Sequence, residues 1–198
     1  MNRPVLVALG ILAVILVALG GAVASSYNRL VTLDQAVTAA WAQVENVYQR
    51  RADLVPNLVE TVKGAAAFEK ETVVAVAEAR AQVGKLEVDR EVLEDPEAFA
   101  RFQQAQDQLS SALSRLIAVS ESYPDLKATQ NFRDLQAQLE GTENRIAVER
   151  QRFNEAALAY DTARNRFPMV LVASMLGFEE RPYFQAQPGA ETAPRVEF

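Results

Sequence analysis

The chain has 198 residues, of which 49% are hydrophobic, and its 26 acidic and 20 basic side chains leave a net charge of −6. That length suits one ordinary domain with an appendage, and the acidic balance excludes the clustered Lys and Arg that grip nucleic-acid phosphates or form a polybasic membrane surface. Cysteine and histidine are both missing, which removes disulfides, thiol nucleophiles, imidazole bases, Ser-His-Asp triads and thiolate or imidazole zinc sites.

After a short flank (residues 1–4), the first element is VLVALGILAVILVALGGAVA, an uncharged run from Val5 to Ala24 (residues 5–24). As a helix it covers about 30 Å, the thickness of a bilayer's hydrocarbon layer, and a helix satisfies its own backbone in lipid. The run is expected to be an uncleaved transmembrane helix, a signal-anchor, with the lipid bilayer as its partner. Ala22-Val23-Ala24 also fits an A-x-A cleavage pattern behind a positive start at Arg3. Release as a secreted or periplasmic soluble binding module is therefore the alternative. Arg3 and the amino terminus on one side, against Arg29 on the other, favour a cytoplasmic N-terminus and the bulk of the chain outside.

Next, Leu30, Leu33, Val37, Ala40, Val44, Val47, Arg51 and Leu54 recur at alternating spacings of three and four, with Trp41 and Tyr48 beside them. That is the a/d stripe of a helix packed along its length, and it continues straight out of the apolar run. Pro56 is expected to interrupt it and to open a second helix that reaches Leu86. This second stripe is Val59, Val62, Ala66, Val73, Val76 and Val83, and the stretch Gly64, Ala65, Ala66, Ala67 makes a small-residue patch where another helix can approach. LEVDREVLEDPEAF is an acidic linker whose Asp95-Pro96-Glu97 reads as an N-cap, a first-turn proline and an acidic residue at the positive end of a third helix. Phe102, Ala105, Leu109, Ala112, Leu116, Val119 and Tyr123 line that helix until Tyr123-Pro124.

A long fourth helix is predicted over 129–167. Its stripe is Phe132, Leu135, Leu139, Thr142, Ile146, Glu149, Phe153, Ala156, Tyr160, Ala163 and Phe167. MVLVASMLGF is then a short apolar helix, too short to span a bilayer and stopped by Gly177. Residues 185–198 form a polar, Pro-rich tail expected to be mobile, with Val196 and Phe198 as weak docking points. The fold class predicted is all-α: an elongated antiparallel bundle of about four helices over residues 27–184, preceded by one N-terminal transmembrane helix.

The candidate site residues are the charges on or beside the stripes: Arg50, Arg51 and Asp53 in QRRADLVPNL, Glu69 and Arg80 on the second helix, and Thr142, Glu143, Arg145 and Glu149 on the fourth. A charge inside a core is tolerable only when paired and hydrogen-bonded. These groups are expected to form a structural polar network that fixes helix register, with QRRADLVPNL as a hinge between two helices. On this reading Glu149→Gln should cost much stability. A carboxylate and arginine cluster that binds a ligand is the weaker alternative, since no metal or phosphate motif occurs. No catalytic residue and no cofactor are predicted.

Three stretches resemble the LemA family of bacterial membrane-associated proteins: YNRLVTLDQAVTAAWAQVENVYQRRADLVPNLVETVKG, then YPDLKATQNFRDLQAQLEGTENRIAVERQRFNEAALAYDTA, then FPMVLVASMLGFEERPYFQ. The resemblance covers most of residues 27–184 and implies a short membrane segment followed by a helical bundle, in a bacterial cell membrane. The family's polar positions fall on Arg50, Arg51, Asp53, Asn57, Lys63, Gly64 and Glu69, then Thr142, Glu143, Asn144, Arg145, Arg150 and Asn154. Where the family usually has an aromatic followed by a His-Glu pair, this chain has GAAAFEKE, with Ala65 and Phe68. The resemblance carries over no catalytic residue. It leaves a scaffold or adaptor for unidentified membrane or envelope proteins as the expected role.

Overall fold

A computed structural model of the chain describes residues 3–64, 69–86 and 90–185. Among them every regular element is helical: α1 (Arg3–Lys63), α2 (Lys70–Val83), a 3-10 turn (Arg90–Leu93), α3 (Pro96–Ser120), α4 (Pro124–Ala128), α5 (Gln130–Arg164) and α6 (Met169–Leu176). The expected small-residue contacts at Ala65, Ala66 and Ala67, the centre of the acidic linker (Glu87 and Asp89) and the tail contacts at Val196 and Phe198 lie outside the described residues.

α1 is 61 residues long, about 90 Å of continuous helix. Its first part is bare: Leu6, Val7, Leu9, Ile11, Leu12, Val14, Ile15, Leu16, Val17, Leu19 and Val23 are all exposed, and Ser26 is the first buried residue among those whose side chains are described. From Leu30 onward one face is covered. Leu30, Val37, Val44 and Arg51 are buried, and so are Asp34, Trp41, Tyr48 and Val55, whereas Leu33, Ala40, Val47 and Leu54 are only partly covered. The buried face is thus rotated towards the a and e positions, which a globular bundle with more than one neighbouring helix requires.

Pro56 does not break the helix, contrary to expectation; α1 runs through it to Lys63. A proline removes the bond to the carbonyl four residues earlier, here that of Ala52. Arg80 of α2 takes over as donor, its Nε lying 3.2 Å from that oxygen. The break between the first two soluble helices falls at Gly64 instead, so the predicted helix over 56–86 is the end of α1 followed by α2. QRRADLVPNL is mid-helix and not a hinge.

The side-chain contacts set the topology. Tyr48 meets Arg150 while Arg51 meets Glu143, so α1 and α5 are antiparallel. Trp41 meets Phe99 while Arg51 meets Gln106, so α1 and α3 run the same way. α2 descends beside the far half of α1, and together they form an up-down-up-down bundle. The far half holds a mainly aliphatic core of Val55, Leu58, Val62, Val76, Leu109, Leu116 and Leu139, with Phe132 as its buried ring. The half nearer the apolar segment holds an aromatic core: Trp41 lies 5.2 Å from Phe102, 5.6 Å from Phe153, 5.8 Å from Phe99 and 6.2 Å from Phe184, between ring centroids.

Local signals fix several ends. Asp95 accepts from the Glu97 amide at 2.8 Å with Pro96 in the first turn. Thr129 caps α5 through the Phe132 amide. Gly177 ends α6 at φ 73°, a left-handed conformation that glycine adopts without a Cβ clash. α3 stops at Ser120, slightly before the expected Tyr123, and α5 stops at Arg164, so Phe167 leaves the stripe and is exposed.

Candidate functional site: a ladder of buried arginines closed by a C-terminal strap

Three arginines occupy successive levels of the bundle. Arg51 is wholly buried at a position the stripe assigns to an apolar side chain. Its Nη1 donates to Glu143 Oε1 at 2.7 Å and to Ser110 Oγ at 2.5 Å. Its Nη2 donates to the Gln106 carbonyl at 3.1 Å and to Gln106 Oε1 at 2.5 Å. The guanidinium also sits 5.0 Å from the centroid of the Tyr48 ring. A planar fork spreads these bonds over two nitrogens facing two helices, a reach that the single nitrogen of an ammonium does not have. Glu143 keeps 42% of its side chain exposed, so the carboxylate retains part of its hydration while it neutralises the buried cation.

One level nearer the apolar segment, Arg150 of α5 donates through Nε to the Tyr48 hydroxyl at 2.5 Å and through Nη2 to Asp107 Oδ1 at 2.9 Å. It also lies 5.0 Å from the Phe184 ring centroid. Burial pushes the Tyr48 hydroxyl above its usual pKa, against the opposing pull of Arg150. Burial alone would lower the pKa of Arg150, but Tyr48 and Asp107 outweigh it and hold the cation more firmly charged. Neither group is a candidate base.

The third level ties down residues 178–185, which follow α6 as an extended strap. Arg181 is buried; its Nη2 donates to Asp34 Oδ1 at 2.6 Å and its Nη1 to the Leu93 carbonyl at 3.3 Å. Asp161 accepts from the Arg181 amide at 3.2 Å and from the Tyr183 hydroxyl at 2.7 Å. Asn154 grips both backbone groups of Phe184 at 2.9 Å, and Gln103 does the same for Gln185 at 3.0 and 3.3 Å. The strap delivers Phe184 to the aromatic core at the level where α2 no longer reaches.

The predicted site residues separate accordingly. Arg51 and Glu143 meet. Arg50 and Arg145 are exposed, and Asp53 accepts from Gln49 on the surface at 2.8 Å. Glu69 accepts from Thr72 at 2.9 Å and lies 4.0 Å from Arg115. Arg80 serves the Ala52 carbonyl, and buried Thr142 donates to the Gln138 carbonyl at 2.7 Å. Glu149 faces Arg152 of its own helix at 2.7 Å, and that partner is 64% exposed. Sequence reading missed Asp34, Gln106, Asp107, Ser110, Asp161, Arg181 and Tyr183. Asp34 and Gln106 carry a signal in retrospect, each standing four residues from a stripe position on the covered side. Arg181 carries none, because an extended strap has no periodicity.

An open groove of about 970 Å³ lies between α3 and the strap, lined by Phe99, Gln103, Asp107 and Tyr183 among others. Its carboxylate, Asp107, is already committed to Arg150. Among the described residues no three acidic side chains converge as a metal site would require. The arrangement pairs cations and acceptors from different helices and from the strap.

A model of the LemA family matches residues 40–198. The chain is 30% identical to Magnetosome protein MamQ of Magnetospirillum gryphiswaldense, over 96% of this chain and 75% of that protein. It is 28% identical to Magnetosome protein MamQ 2 of Paramagnetospirillum magneticum, over 84% of this chain and 67% of that protein. With the family model covering both the arginine ladder and the strap, the chain belongs to the LemA family.

Proposed function

We propose that this LemA-family chain is a single-pass, membrane-anchored scaffold or adaptor without catalytic activity, which organises other membrane or envelope proteins. The observation that carries the reading is the division of α1. One rod is bare and apolar at its start, long enough to cross a membrane, and beyond Leu30 it is the spine of a bundle in which Arg51, Arg150 and Arg181 each pair with a carboxylate, while the buried Nε of Arg51 and of Arg181 meets no acceptor. The charges of Arg51, Arg150 and Arg181 are paired within the bundle, which supports a bracing role. The N-terminus lies in the cytoplasm and the bundle outside, on the balance of Arg3 against Arg29. The relatives are magnetosome proteins by name, and a bracing role within a protein assembly is compatible with that setting.

The test is recovery of the full chain from membranes in mild detergent, with crosslinking, partner identification and sequencing of the mature N-terminus. A retained residue 5–24 segment and a reproducible crosslinked protein at native abundance are expected. Recovery of the bundle alone would remove the adaptor role. A mature start at Ser25 would replace the anchor with the soluble binding module that Ala22-Val23-Ala24 permits.

A further inference from the structure

α6 is the eight-residue helix MVLVASML, without a charge. Only Val172 and Ala173 are buried, and they pack on Leu30 of α1. Met169 is half-buried against the same cluster, but Met175 is 82% exposed, Leu171 and Leu176 are each 55% exposed, and Phe167 just before the helix is 81% exposed. Leaving so much apolar surface in water on one short element is costly, at roughly 25 cal/mol for each Å², and such patches mark a partner.

The position of the patch identifies that partner. Leu30 is six residues beyond Ala24, where the apolar run of α1 ends, about 9 Å further along the same helix. The polar layer outside the hydrocarbon is about 5–8 Å thick on each side. Tyr27, which meets Phe178 directly after α6, is about 4.5 Å beyond Ala24, so α6 reaches from headgroup depth to the outer edge of that layer at Leu30 whenever residues 5–24 span the bilayer, and it cannot move away without leaving Leu30. Its surroundings suit that depth. Tyr27 meets Phe178 edge-on with ring centroids 6.0 Å apart, and the exposed cations Arg29 and Arg166 line one cleft with Met169 and a single carboxylate, Glu155. Aromatic rings and arginines flanking an apolar face are what the boundary between acyl chains and phosphates accommodates.

We infer that α6, together with Phe167, is a second membrane contact: an interfacial helix that lies in the lipid surface beside the spanning segment and fixes the bundle against the bilayer. The partner is lipid, with Phe167, Leu171, Met175 and Leu176 at the acyl boundary and Arg29 and Arg166 among the phosphates. This rests on the anchored reading above.

The chain has no cysteine, so single-cysteine variants of the full chain carry one fluorophore each. Leu171→Cys and Met175→Cys probe α6. Leu16→Cys probes the span, and Val148→Cys, exposed on α5 far from it, is the aqueous control. Each is reconstituted into vesicles of phosphatidylcholine and phosphatidylglycerol, with lipids brominated either near the headgroup or near the chain end. Shallow bromine is expected to quench the labels at 171 and 175 several-fold more than the label at 148, while deep bromine quenches the label at 16. Quenching at 16 with labels at 171 and 175 no more affected than at 148 overturns α6 docking and leaves the anchor standing. No quenching at 16 overturns the anchor as well. A blue shift at 175 without lipid quenching places protein over α6, a second copy included, and also overturns the inference.

Discussion

At the scale of single residues, the decisive distinction is between charges that have lost their water and charges that have kept it. Arg51 has lost all of it and is held by three residues on two helices. Removing one partner of a buried pair typically costs about 3–5 kcal/mol. Arg51→Ala is therefore expected to destabilise the detergent-solubilised chain by that order in equilibrium denaturation. Arg51→Lys should recover only part of the loss, because the three donors of an ammonium sit on one nitrogen and cannot reproduce the four bonds that the guanidinium spreads over two. Glu149→Gln behaves differently from what its stripe position suggests: its partner Arg152, on the same helix, is 64% exposed, and the effect stays near or below about 1 kcal/mol. Asp161 carries a pH signature. Burial raises its carboxyl pKa, with Glu180 adding, against the bonds from Tyr183 and the Arg181 amide and the charge of Arg164. A carboxyl with a raised pKa in the folded chain contributes stability that is complete below its usual value and is lost as pH rises through the raised one. Denaturation midpoints measured across the acidic range should show Asp161→Asn gaining on the native chain as pH rises, while Tyr183 keeps an oxygen acceptor.

At the scale of elements, α1 is the informative one. Its stripe announces a long packed helix, and the expected interruption at Pro56 is absent because α2 repairs what proline removes. The Ala52 carbonyl that lacks a helical donor is reached by Arg80, a bond between residues 28 positions apart that no local pattern contains. Arg80→Ala should cost about 0.5–1 kcal/mol in the native background. In a Pro56→Ala background, where the helix supplies its own amide, the same change should cost close to nothing. A double-mutant cycle measured by denaturation reads the difference directly; equal costs in both backgrounds would show that Arg80 is not the substitute donor. α3 and α5 were legible for the opposite reason: Asp95-Pro96 and Thr129 are short-range caps, and their apolar stripes repeat over many turns.

At the scale of the whole molecule, the bundle changes character along its length. In the far half α2 completes four helices around a mainly aliphatic core. In the half nearer the apolar segment, the 3-10 turn and the strap replace it, and Phe184 and Arg181 supply what a helix would. The strap is thus as much a structural member as the helices. Arg181→Ala leaves Asp34 buried without this partner and is expected to cost about 3–5 kcal/mol, with faster amide exchange over residues 178–185 as a local readout. An unchanged exchange pattern would show that Asn154 and Gln103 hold the strap unaided.

The sequence by itself determined what depends on neighbours along the chain: the apolar run long enough for a bilayer, the helical periodicities, the caps at Asp95, Thr129 and Gly177, and the exclusion of cysteine and histidine chemistry. Tertiary structure alone decided which charges lose their water and whom they meet. Arg51 reaches Ser110, Gln106 and Glu143, Arg80 rescues a proline-orphaned carbonyl, and Arg181 finds Asp34 at a separation of 147 positions. The reason is physical. Periodicity records which face of a helix is covered, but the energy of a buried charge depends on acceptors that other helices bring, and their register is fixed only when the whole bundle has closed.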